Sequence, residues 1–449
     1  MTLDLASFHK ACSPGSTLIG ENEEEPYYID LSSVRGGKLI EEFKEAIAIS
    51  SGEPTCQLLA AHTGCWKSQE LQRLKTELEE EGWHVVYCQA KQDIDVADVD
   101  ILDVLLMLTR QVSASLEALE IKLKSRYFAI LFKEINLILQ FPFKASSDGE
   151  LSVEIGKLTA SMKDSPLLHL QLRLYLEYRI EGVLKAINEE LLRPATEELK
   201  RRDKKGLVVI VDELDGVVSR RLPLGRVQPE SPFIDQASQL HSLNCHVLYT
   251  IPLALMFSNQ YEALKNCLGG GVAPKLLPMV PVRRRDGSDC EEGIALLRQV
   301  VLMRAFPDVE PEQRLGLITE VFDSPETLDR LCRISGGHVR YLLGLLYKCF
   351  WEEELPFSRN SLEKLIKEYS NSLVSAIDEH EWDLLRQVQE SKQVGTAEEY
   401  RVLIGCMFVY EYHDSLGSWF DLNPGLAEAE QFKTSSCISS GYDYQAVFS

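Results

Sequence analysis

The sequence predicts an α/β fold with a parallel sheet, an all-helical region after it and a small terminal unit. Three observations predict it. The apolar run Gln57-Leu58-Leu59-Ala60-Ala61 passes through a small-residue loop into Lys67-Ser68 and a helix with Leu71, Leu74 and Leu78 on one face. A second apolar run, Leu207-Val208-Val209-Ile210-Val211, ends in Asp212-Glu213, as a buried parallel strand does when it delivers carboxylates to the sheet edge. From about residue 290 the apolar spacing becomes helical only.

Residues 1–26, rich in Gly, Ser, Pro and Glu, read as a flexible N-terminal segment. A helix is expected at about 38–50, with Ile40, Phe43 and Ile47 inward, before the first strand at 57–61. Gly82 stops the helix after Lys67-Ser68, and His84-Val85-Val86-Tyr87-Cys88 reads as the next strand. This β-α-β unit is parallel because its crossover is right-handed. Residues 100–203 form a helical insertion. Within it, Leu168, Leu170, Leu172, Leu174 and Leu176 alternate as a strand would, but Ile180, Leu184, Ile187 and Leu191 continue at helical spacing, so helix is expected throughout, with a kink or break at Pro194. Strands ending in Thr250-Ile251-Pro252 and running over Lys275–Val282 complete an α/β domain at 27–285. A helical lid domain is placed at 286–370, with helices opened by Ser324-Pro325-Glu326 and by Gly336-Gly337-His338-Val339-Arg340. A unit at 371–432 follows: a helix at 378–391, another capped by Thr396 with Glu399, and a hairpin of 407–412 and 419–422, together suggesting a winged helix. Residues 433–449 read as a flexible tail.

At 449 residues the chain exceeds one ordinary core, at roughly 150 residues per domain. Its eleven cysteines include no C-x-x-C pair, so neither a disulfide framework nor a zinc ribbon is indicated. No signal peptide and no apolar run near ~20 residues is visible, which points to the cytoplasm and away from the membrane. A formal charge of −22 repels nucleic acid unless a local basic patch overcomes it.

Thr63-Gly64-Cys65-Trp66-Lys67-Ser68 follows the plan of a phosphate-binding P-loop: backbone N–H groups wrap an anion, a lysine neutralises it and a hydroxyl holds Mg²⁺. The two glycines of that plan are Ala61 and Trp66 here, and an indole before the lysine is expected either to fill the anion site or to rotate out of it. A strand ending in Asp212-Glu213, one carrying Thr250, and Gly-Gly-x-x-Arg opening a helix come after it in order. Together these resemble the AAA+ and STAND class of P-loop ATPases, with origin-recognition-like architecture ending in a winged helix, over about 27–425.

The resemblance implies ATP and Mg²⁺ as cofactors and hydrolysis of ATP to ADP and phosphate as the reaction, with Ala61 and Trp66 weighing against both. Thr63, Gly64, Cys65, Trp66, Lys67, Ser68 and Gln69 would bind the phosphates, and Ser68 and Asp212 would hold the metal. Glu213 would polarise the attacking water, Thr250 would be a first sensor and Arg340 a second. Arg283, Arg284 and Arg285 are arginine-finger candidates by position alone. Three functions follow: a nucleotide-dependent switch or assembly factor with weakened ATP binding and hydrolysis, a pseudo-ATPase scaffold for protein contacts, or a DNA-binding regulator using the winged helix. Protein partners are expected, including a homo-oligomer. DNA is disfavoured by charge, and the hairpin aromatics Phe408, Tyr410, Tyr412, Trp419 and Phe420, some of them core, are too many for a phosphate-tracking wing and suggest protein contacts instead.

Overall fold

A computed structural model describes residues 3–13, 27–50, 52–95, 98–123, 125–139, 150–216, 231–429 and 432. The chain divides into two compact units: Lys38–Thr63 with Lys67–Leu276, and Met1–Gly37 with Gly64–Trp66 and Leu277–Ser449.

The first of these holds the expected α/β sheet. Five strands, β1 (Cys56–Ala61), β2 (His84–Gln89), β3 (Leu207–Asp212), β4 (His246–Pro252) and β5 (Lys275–Leu277), lie in the order β2-β3-β4-β1-β5. The β2–β3, β3–β4 and β4–β1 pairs are parallel, with Gln89 opposite Asp212 and Leu59 opposite Thr250. Their carboxyl ends therefore share one edge. β1, β3 and β4 are buried along their whole length, as strands covered on both faces must be. β5 is shorter than the expected 275–282: its described strand ends at Leu277, one residue before Pro278, which has no N–H to donate to a ladder.

Between β2 and β3 the insertion is helical, as expected. Its longest helix, Ile101–Ala118, opens with a reciprocal capping box between Asp100 and Asp103. Pro166–Glu177 is a helix despite its alternating leucines, and Leu168, Leu172 and Leu176 form its buried face. Pro194 does not break the last helix. A wide π turn at Ile187–Leu192, with the Arg193 N–H donating to the Asn188 carbonyl, precedes Arg193–Arg201, so Pro194 falls in the first turn of that helix, where its missing N–H is tolerated.

The other unit centres on a core of Ile294, Leu297, Val301, Leu328, Leu331, Leu342 and Leu346. Its helices Glu291–Ala305, Pro325–Ile334, Val339–Glu352 and Arg359–Val374 supply most of that core. The N-terminus departs from expectation. Leu5–Cys12 is a helix capped by Asp4, and Phe8 and Cys12 are fully buried in the same core, so those residues are anchored rather than loose. The rest of the expected lead-in, 14–26, and the tail 433–449 lie outside the described residues.

Helices Glu381–Ser391 and Glu398–Gly405 precede an antiparallel hairpin, β6 (Val409–Asp414) and β7 (Gly417–Leu422). Ala397 rather than Thr396 is the N-cap of the second helix, without a side-chain cap. The hairpin aromatics are core: Phe408, Tyr410, Tyr412, Trp419 and Phe420 are each at most 5% exposed, so they are not a contact surface. Gly336 and Gly337 are equally tight. Both take positive φ (+59° and +81°), and a Cβ on Gly337 would meet the Val280 carbonyl at 1.7 Å, so the pair is a close-packed turn with no slack.

Candidate nucleotide site

In the α/β unit the helix after the loop begins at Lys67, directly beyond the carboxyl end of β1. Backbone N–H groups of its first turn have no helical partner, and an anion is favoured there. Lys67 is nevertheless 6% exposed, and its ammonium is already engaged. Nζ lies 2.5 Å from Asp215 Oδ1 and 3.6 Å from Asp212 Oδ1, and both carboxylates are buried, at 6% and 1% exposure. Asp212 was expected at this place; Asp215 was not.

Tyr87 on β2 is the second residue that sequence reasoning missed. Its hydroxyl donates to Asp212 Oδ2 at 2.7 Å and is within hydrogen-bonding reach of the Ser68 hydroxyl, so one phenol joins the two expected metal ligands. Burial first, and then the Asp212 charge, push that phenol well above its ordinary pKa, so it stays protonated and a donor. Nothing in the local sequence marks Tyr87. Its role follows from the pairing of β2 with β3, which sets Tyr87 opposite Ile210 and two residues from the level of Asp212.

Glu213 sits at φ +67°, left-handed for a non-glycine residue. Its side chain is about one quarter exposed and lies 3.9 Å from Lys91 Nζ, while its N–H donates to Asp212 Oδ1 at 2.7 Å. Strain of this kind, on the order of 1–3 kcal/mol, is found where function or packing holds it in place. Thr250 is fully buried. Its hydroxyl oxygen accepts the Leu214 N–H at 3.1 Å, which fixes the short turn Leu214–Gly216 and with it Asp215. Thr63 is exposed, and Ser68 and Gln69 are half-buried.

Gly64, Cys65 and Trp66 belong to the other unit, as does Arg340. There the Gly64 carbonyl accepts the Arg340 N–H at 3.2 Å, and the Cys65 carbonyl accepts from Arg35 Nη2 at 2.7 Å. Gly64 has φ +88°, and a Cβ on it would come within 2.9 Å of the His338 ring. His338 itself caps the Val339–Glu352 helix, its Nδ1 accepting the Tyr341 N–H at 2.9 Å. The Arg340 side chain is exposed.

Trp66 takes φ +69°, the backbone conformation that glycine adopts freely and an indole-bearing residue resists. Its half-buried ring packs against that unit's hydrophobic core, 5.1 Å from the buried Arg304 guanidinium, which also lies 5.5 Å from the Tyr27 ring. The ring is thus committed to a cation–π stack with Arg304. Among the arginine-finger candidates, Arg284 pairs with Glu292 at 3.1 Å and Arg285 with Asp414 at 2.9 Å.

The donors gathered at the sheet edge, a hydroxyl and carboxylates, are the hard oxygen ligands that Mg²⁺ takes.

No protein-family model matches the sequence, and no curated protein matches it. Among solved structures, the ORC2 protein of Aeropyrum pernix in its ADP form is similar at 12% identity and a TM-score of 0.43, over 96% of this chain and 97% of that one. The Walker-type ATPase PABY2304 of Pyrococcus abyssi is similar at 12% identity and a TM-score of 0.40, over 90% and 98%. The Drosophila ORC bound to DNA is similar at 11% and 0.33, over 96% and 90%.

Proposed function

We propose that the chain is an ATP-binding regulatory protein of AAA+ or STAND type, a switch or assembly factor with weakened nucleotide turnover. In this reading 286–370 is a lid and 371–432 a winged helix. The observation that supports it best is the convergence of Lys67, Ser68 and Asp212 at the carboxyl edge of the parallel sheet, at a helix start following a strand. Lys67 would meet the phosphates, Ser68 and Asp212 would hold Mg²⁺, and the N–H groups at the helix start would orient the anion. Glu213 would position the attacking water. Bound Mg-ATP supplies the transferable phosphoryl group, and the cation offsets its charge.

A scaffold without turnover is the second reading, and one observation favours it: Lys67 is already satisfied by two buried carboxylates. Calorimetric titration of the full chain with Mg-ATP separates the two. Saturable binding that is abolished in Lys67→Ala is the expected result. Absence of binding in the unaltered protein would leave the scaffold.

A further inference from the structure

Asp215 lies outside the set of residues that the P-loop plan calls for, yet it makes the shorter contact with Lys67: 2.5 Å, against 3.6 Å for Asp212. Its place is built. The Thr250 hydroxyl fixes the turn through the Leu214 N–H, Tyr87 holds Asp212 alongside, and all three charged side chains are at most 6% exposed. One ammonium between two buried carboxylates leaves these three side chains net negative. A free polyphosphate approaching it meets repulsion from Asp212 and Asp215 and must also displace the ammonium from its partner. A divalent cation changes this balance, because it binds oxygen ligands and neutralises both the phosphates and the carboxylates.

We propose that Asp215 gates the site: it holds Lys67 until a divalent cation arrives with the triphosphate, so that cation-free nucleotide is excluded. This rests on the reading that nucleotide binds at Lys67. Removing the Asp215 charge frees the lysine and makes binding less dependent on the cation.

The test is calorimetric titration of the full chain with ATP, in EDTA and in Mg²⁺, for the unaltered protein and for Asp215→Asn, Asp215→Ser and Asp215→Glu. In EDTA, both charge-removing variants are expected to bind at least tenfold more tightly than the unaltered protein, a difference of about 1.4 kcal/mol. In Mg²⁺ the difference narrows. Asp215→Glu keeps the charge and stays with the unaltered protein, and Lys67→Ala added to Asp215→Asn cancels the gain. Two charge-removing variants guard against one that fails to fold, and circular dichroism identifies it. Equal affinity of the unaltered protein and both variants in EDTA would overturn the gate and leave nucleotide binding standing. If no protein binds ATP in either buffer, the nucleotide reading fails and the gate with it, since a freed lysine would have recruited nothing.

Discussion

Glu411 shows how one side chain can tie stability to pH. It lies on β6 and is fully buried, and burial raises its carboxyl to about 8, opposed only in part by the Ser418 hydroxyl. The folded state therefore holds a proton that the unfolded chain gives up in the usual carboxylate range. Relative to the unfolded chain, this group imposes no penalty in acid, a growing one as pH rises toward 8 and the full one above it. At roughly 1.4 kcal/mol per pKa unit the full penalty is on the order of 5 kcal/mol. Glu411→Gln is expected to raise the urea midpoint at pH 9 and to leave it nearly unchanged at pH 5. An equal effect at both values would show that Glu411 does not change protonation on unfolding. Single residues of the candidate site were unequally legible. Lys67, Ser68 and Asp212 could be read because each sits at a fixed offset from an apolar strand. Tyr87 and Asp215 could not, because what they touch depends on β3 lying between β2 and β4.

At the level of elements, the helix Pro166–Glu177 explains why period can mislead. Leucines at every second position on a helix fall on two opposite faces. Leu168, Leu172 and Leu176 are buried, whereas Leu170 and Leu174 are 55% and 58% exposed. The two sets should differ sharply in what they contribute to folding. Leu172→Ala is expected to cost about 2–5 kcal/mol, and Leu174→Ala no more than about 0.5 kcal/mol, in urea denaturation of the full chain. Similar losses at both positions would mean that the outer face is covered in solution. Continuation at helical spacing through Ile187 is what made the helix legible. The Gly336-Gly337 turn was legible as a helix start, but its tightness depends on the Val280 carbonyl, which no local pattern reveals.

For the whole molecule, a charge of −22 dominates what it can approach. The hairpin aromatics are buried, and the net charge opposes the approach of duplex DNA. The full chain is expected to show no measurable binding to a short duplex in 0.15 M salt by fluorescence anisotropy. Tight binding with a steep salt dependence would instead assign the hairpin region to DNA. The α/β class was legible because its strands are apolar throughout. The division into units was not, because one unit gathers three segments that are far apart in sequence. That division has a consequence for synthesis on the ribosome. Trp66 and the Leu5–Cys12 helix emerge early, but Arg304 and the Val339–Glu352 helix, whose Phe350 ring meets Phe8, emerge only after the α/β unit is complete. Until then the indole and the buried face of that helix lack their native contacts, and pairing over so long a stretch of chain is expected to slow refolding, which stopped-flow kinetics would read.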